Sequence, residues 1–128
     1  MSDSPADDGV VASDVAIVEV EEAARLLAAG DVSLFSEGEL RYARERVDPA
    51  RRLAARLAAK RAARSLLGGD ANEREIEVVR GAYGPPALRL SGAAGERLRA
   101  LGASRALVSL THERRHGAAL VLLVRSGR

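Results

Sequence analysis

Two groups of residues have the types and spacing to do chemistry. His112-Glu113-Arg114-Arg115-His116 matches H-E-x-x-H, which on a helix stacks two imidazoles one turn apart around a zinc ion, with the glutamate as base. Here the motif follows the apolar run ALVSLT and is followed by Gly117 and AALVLLV, so it is expected on a turn between strands. A turn does not stack the imidazoles on one face, and the chain has no other histidine to serve as a third ligand. The second group is cationic: Arg51, Arg52, Arg56, Lys60, Arg61 and Arg64 lie in RRLAARLAAKRAARSLLGG with no acid among them. Such a helix suits phosphates or an acidic protein partner, or is simply a solvated face. Ala54, Leu57, Ala58, Arg61, Ala62 and Ser65 share one side of it, so Arg61 interrupts an apolar stripe and needs a partner or a ligand there.

These groups must be positioned by a small domain. With 128 residues and 47% hydrophobic content the chain can bury one modest core. Residues 1–13, opening MSDSPADDG, are expected as a flexible tail, and residues 14–128 as one domain. Absence of cysteine removes disulfides, thiolate metal sites and cysteine nucleophiles, and a cytoplasmic location is expected. No apolar run approaches a membrane span, so no membrane partner is expected. Nucleic acid is not expected either, because two tyrosines and one phenylalanine provide little stacking surface.

Along the chain, Asp14–Val20 reads as a strand and Glu21–Ala29 as a helix ended by Gly30. Ser36–Arg46 reads as a second helix with Ser36 and Glu39 at capping-box spacing. Asp48-Pro49 starts a long helix that runs to Leu67 and stops at Gly68-Gly69. Glu75–Arg80 and Ala87–Leu90 are strand-like around the turn Tyr83-Gly84-Pro85-Pro86. Ser91–Leu101 is helical, and Ala106–Thr111 with Ala118–Arg125 form a hairpin. The order predicts an α+β domain, an antiparallel sheet packed on one long helix.

Taken together, IVEV, FSEGELRYAR, RRLAARLAAKRAARSLLGG, EIEVVRGAYGPPALRLSG and VSLTHE resemble the holo-acyl-carrier-protein synthase family, the small 4′-phosphopantetheinyl transferases, over about Asp14 to Val124. The resemblance implies that family's fold, an acyl carrier protein as partner, coenzyme A or its phosphopantetheine arm as ligand, and a homotrimer with sites between subunits. It also implies roles by position. Arg56 and Lys60 match basic residues of the helix motif, Gly84 and Pro86 its turn against coenzyme A, and His112 the histidine that ends its Ser-Leu-Ser-His segment.

Two positions depart from the family. Its strand motif, Gly-Ile-Asp-Ile-Val-Glu, has a metal-binding aspartate where this chain has Ala16, and its helix motif, Phe-Ala-Ala-Lys-Glu-Ala, has a metal-binding glutamate where this chain has Arg61. Ser65 stands where the family has a second lysine. Magnesium takes oxygen ligands at about 2 Å, which a methyl group and a guanidinium do not supply. Asp14 is displaced from Ala16 by roughly 6–7 Å along the strand, and Glu19 is the one matching carboxylate. No metal site is therefore expected.

From these departures the leading expectation is a repurposed enzyme that acts without magnesium on fatty acyl or polyketide thioesters tethered to a carrier protein, by proton abstraction such as dehydration or isomerisation. His112 would be the acid/base, since an imidazole titrates near neutrality, with Glu113 or Glu19 orienting it. Arg61 and Lys60 would bind a thioester oxygen or phosphate. The alternatives are a non-catalytic, carrier-binding pseudoenzyme and an active holo-[acyl-carrier-protein] synthase that transfers phosphopantetheine from coenzyme A.

Overall fold

The computed structural model describes residues 9–80 and 84–125. Strand β1 (Gly9–Glu19) runs without a loop into α1 (Val20–Ala29). Then come α2 (Glu37–Arg44), α3 (Pro49–Leu67), a short 3-10 turn at Glu73–Glu75, the strands β2 (Ile76–Val79) and β3 (Ala87–Leu90), α4 (Gly92–Ala100), β4 (Arg105–His112) and β5 (His116–Arg125). β5 is the centre of an antiparallel sheet ordered β1-β5-β4, while β2 and β3 form a separate antiparallel pair. This is the expected α+β architecture.

Strand β1 begins at Gly9, earlier than its β-branched run predicts. Gly9 faces Arg125 and Val10 faces Val124 across the ladder, with a bulge before Ala12, so part of the expected tail is strand. Residues 1–8 lie outside the described residues, as does Tyr83 of the predicted turn.

Helix α3 is the organising element. It crosses the sheet and is covered elsewhere by α1, α2, β2 and α4, and every residue from Leu53 to Lys60 is buried. A single apolar stripe was the sequence expectation. Over Leu53–Lys60 the helix is instead enclosed around its circumference, while Arg61 is half-buried and Ser65 exposed, and its alanines are what let neighbours come close. At Gly117 a Cβ would sit 2.3 Å from the backbone nitrogen of Ala55, so β5 lies directly against the helix backbone.

Local capping agrees in part with the sequence. Ser36 and Glu39 form the reciprocal box at the start of α2, and Gly30 ends α1 in the left-handed region at φ 72°. Ser91 does not cap α4 with its side chain. The Glu75 carboxylate does so from the 3-10 turn, accepting from the amides of Ala93 and Ala94 at 3.1 and 3.2 Å. Asp48 likewise leaves the first amides of α3 alone and pairs with Arg51 and Arg52.

Candidate functional site

Arg52 and Arg56 are one turn apart on α3, and the end of β4 brings Thr111 and His112 beside them. Tyr42 from α2 and Arg80 from the end of β2 complete a cleft of about 260 Å³. Tyr42 gathers the cations. The guanidinium carbons of Arg56, Arg46 and Arg80 stand 4.1, 4.2 and 5.8 Å from its ring centroid. Burial opposes ionisation of the phenol, yet the hydrogen bond from Arg46 and the charges of Arg80, Arg56 and Arg46 outweigh it, and Tyr42 is held below the ordinary tyrosine value. Burial also pushes the Arg56 guanidinium below its ordinary value, with Tyr42 opposing that shift.

Two atoms on this cleft's residues are buried without a hydrogen-bond partner among the described residues: Arg56 Nε and His112 Nδ1. Arg56 is only 4% exposed; its Nη1 donates to the Arg52 carbonyl at 3.3 Å, and the Tyr42 ring and hydroxyl supply its other interactions among the described residues. Leaving such atoms unsatisfied costs about 1–3 kcal/mol each. A cleft lined by guanidinium groups and one imidazole can hold an anion and exchange a proton with it.

The remaining predicted residues fall elsewhere. Lys60 spends its donors inside the fold, on Glu39 Oε1 at 2.9 Å, the Glu73 carbonyl at 3.1 Å and the Ile76 carbonyl, so it joins α3 to α2 and β2 and has no donor left for a ligand. Glu113 is not paired with His112. Its carboxylate turns back within the hairpin to His116 Nδ1 at 2.8 Å and the Arg115 amide at 2.9 Å, and the His116 hydrogen bond foremost keeps it below the usual carboxylate range. Glu19 faces His116 across the β1–β5 ladder and lines the same exposed hairpin cleft, so it too stands with His116. Thus H-E-x-x-H spans a strand turn, as the sequence predicts, with its histidines on different strands.

Arg61 and Ser65 line a second cleft, with Arg64, Gly68, Gly69 and Glu73, at the far end of α3. Arg61 is held by Glu22 of α1 through both terminal nitrogens, at 3.2 and 2.5 Å. That hydrogen bond is the main reason the Glu22 carboxyl lies below, and the Arg61 guanidinium above, its ordinary value. Gly84, at φ 93°, and the half-buried Pro86 shape the loop into β3. Sequence reasoning missed Glu22, Tyr42 and Arg80, and it named Arg52 only within the basic run and Glu39 only as a cap. Tyr42 had a usable signal, because it follows the capping glutamate Glu39 by three positions and shares its helix face.

The residues present do not fit a divalent-metal site like the one the resemblance implies. At the two positions the resemblance gives to metal ligands, Ala16 offers only a methyl group on β1 and Arg61 a cation already paired with Glu22. Among the described residues no group of three or more His, Asp or Glu side chains is placed to hold a metal ion.

No protein-family model matches the chain. It is 37% identical over 119 residues to holo-[acyl-carrier-protein] synthase of Anaeromyxobacter sp. (strain K), which covers 87% of this chain and 93% of that protein. A stretch of 76 residues, 56% of this chain, is 47% identical to holo-[acyl-carrier-protein] synthase of Halorhodospira halophila and spans 60% of it. Among solved structures, acyl carrier protein synthase from Mycobacterium tuberculosis superposes with a TM-score of 0.69 at 33% identity, covering 92% of this chain and 99% of that one. The Helicobacter pylori enzyme, solved in complex with coenzyme A, shares the fold at a TM-score of 0.73 and 16% identity, over 88% and 99%.

These relatives overturn the leading expectation of a dehydratase- or isomerase-like enzyme acting on tethered acyl thioesters. They are named for making a holo carrier protein, and neither that lyase reading nor a pseudoenzyme finds support among them. No helix among the described residues is long and apolar enough to cross a membrane. With identity above one third sustained over 93% of a relative, and the fold shared nearly end to end, this chain belongs to the holo-[acyl-carrier-protein] synthase family.

Proposed function

We propose that this chain transfers the phosphopantetheine arm of coenzyme A to a serine hydroxyl of an acyl carrier protein. The observation that carries the reading is a pair of buried nitrogens, Arg56 Nε and His112 Nδ1, without a partner among the described residues, on one arginine-lined cleft. Kinship to proteins named for this transfer supports the reaction type.

In the transfer, the serine oxygen forms a bond to the phosphorus that carries pantetheine. The bond from that phosphorus to the bridging pyrophosphate oxygen breaks, and adenosine 3′,5′-bisphosphate leaves with the electron pair. Arg56, Arg52 and Arg80 neutralise phosphate charge, which is stronger in a partly dry cleft than in water. His112 takes the serine proton, and the unpaired nitrogen finds its partner in the bound complex. Ser65, Gly84 and Pro86 add contacts to coenzyme A.

The assembly is a homotrimer in the cytoplasm. Val15, Ile17, Leu107 and Leu120 are 59%, 66%, 40% and 39% exposed and lie on one face of the sheet, where Val15 and Leu120 are ladder partners. Such a patch of large apolar side chains supports burial against further copies of the chain. Sedimentation of the wild type should give three copies, and Val15→Asp should shift it to smaller species.

The test of the transfer is intact-mass analysis of apo carrier proteins incubated with the chain and coenzyme A, with magnesium and with a chelator. A carrier that gains one phosphopantetheine arm is the expected result. Failure to modify any carrier in either condition would sink the proposal.

A further inference from the structure

We infer that the Arg61–Glu22 pair takes the place of a divalent cation in this chain, so that it binds coenzyme A and transfers the arm without magnesium. This deepens the transferase reading and rests on it, its homotrimer included: within one chain Arg61 and the Arg56–His112 cleft lie apart along α3, so the two meet on one coenzyme A only where subunits meet.

Charge comes first. Two carboxylates around a dication sum to zero, and so do one guanidinium and one carboxylate. The pair at Arg61 and Glu22 therefore keeps the local charge balance while Ala16 contributes none. Donor chemistry comes second. Glu22 engages Arg61 end-on through Nη1 and Nη2, and among the described residues the Nε–H and the outer hydrogens of both terminal nitrogens have no acceptor, so they can donate to phosphate oxygens. Accessibility is the third observation. The Arg61 side chain is 40% exposed and lines an open cleft with Arg64 and Ser65, unlike its neighbour Lys60, which is sealed inside the fold.

Position is also fixed on both sides. Strand β1 passes directly into α1, so Glu22 sits in the first turn of that helix, where the helix dipole favours a carboxylate. A bidentate partner held at a helix start gives the guanidinium one orientation. That is what a charge needs if it is to serve in place of a bound ion.

The experiment measures coenzyme A affinity by calorimetry and arm transfer by intact mass, each with chelator and with magnesium, using the full chain. Wild-type affinity and transfer are expected to change less than about twofold between the two conditions. Arg61→Gln should weaken coenzyme A roughly tenfold with chelator present, the scale of a lost charge-assisted hydrogen bond, while Arg61→Lys should retain part of the affinity. The double variant Ala16→Asp with Arg61→Glu should become dependent on magnesium. Circular dichroism of each variant identifies any that fail to fold, and Arg61→Lys then carries the comparison.

Loss of wild-type binding or transfer in chelator, restored by magnesium, would overturn this inference and leave the transferase reading intact. Unchanged affinity in both Arg61 variants would overturn it as well. Neither binding nor transfer in either condition would overturn the transferase reading, and this one with it.

Discussion

Arg56 and Lys60 stand one turn apart on the same helix, both buried, and the fold treats them in opposite ways. Lys60, 1% exposed, has a carboxylate and two carbonyls around its ammonium. Arg56, 4% exposed, has a weak hydrogen bond to the Arg52 carbonyl, the ring and hydroxyl of Tyr42 and, among the described residues, an Nε with no partner. A buried charge that is fully paired holds elements together; one left partly unpaired beside an imidazole in a cleft is suited to a ligand. Both belong to one basic motif, so residue type alone does not separate structural cations from binding ones.

The largest expected effect comes from breaking the paired side. Glu39 accepts from Lys60, from the Ser36 amide at 2.8 Å and from the Val78 amide at 2.7 Å, so Glu39→Ala strands a buried ammonium and two amides at once. Unfolding in urea should show a loss of about 3–5 kcal/mol. A loss below about 1 kcal/mol would mean that Lys60 is not structural, and the contrast with Arg56 would fail.

The open side is tested by His112→Ala. Removal of a general base lowers turnover by about a hundredfold or more, roughly 2.7 kcal/mol in the barrier, with little change in melting temperature because the imidazole has one nitrogen unpaired. Turnover near the wild-type value would assign the serine proton to another acceptor.

The sequence was legible where local chemistry decides the outcome. Gly30, the Ser36–Glu39 box, Pro49 and Gly68 set helix ends that need only their own neighbours, and the hairpin over His112–His116 follows from two apolar runs around a short polar turn. It was illegible where partners come from far along the chain. Glu39 reaches Lys60 from α2, and Glu22 reaches Arg61 from α1, and nothing in the spacing of the basic motif announces either. Glu113 was assigned to its sequence neighbour His112, but the turn returns its carboxylate to His116. The apolar stripe on α3 was similarly incomplete, because burial on all sides depends on how many elements pack around it.

Arg56→Met sharpens the contrast at intermediate size. An apolar side chain of similar length removes a partly paired buried cation, so stability should stay within about 1 kcal/mol of wild type, or rise. Affinity for coenzyme A should fall roughly tenfold, read by calorimetry. Destabilisation as large as that of Glu39→Ala, with affinity intact, would make Arg56 another structural cation.

The smallest effect concerns Arg61, which lies between the two extremes: paired, yet accessible. Hydrogen bonding from Arg61 lowers the Glu22 carboxyl below its ordinary value of 4.5, so the unfolded chain takes up that proton at higher pH than the folded one. The pair's contribution is therefore complete above the ordinary value and is lost as pH falls through the lowered folded one. Because both side chains are about one third or more exposed, the contribution should be below about 1 kcal/mol. Denaturation midpoints of wild type and Glu22→Gln, measured from neutral pH to well below 4.5, should differ slightly at neutrality and converge on acidification. A difference that stays constant across that range would show that the Glu22 charge is not what fixes Arg61, and would place the guanidinium with the partly paired cation at Arg56 rather than with the sealed one at Lys60.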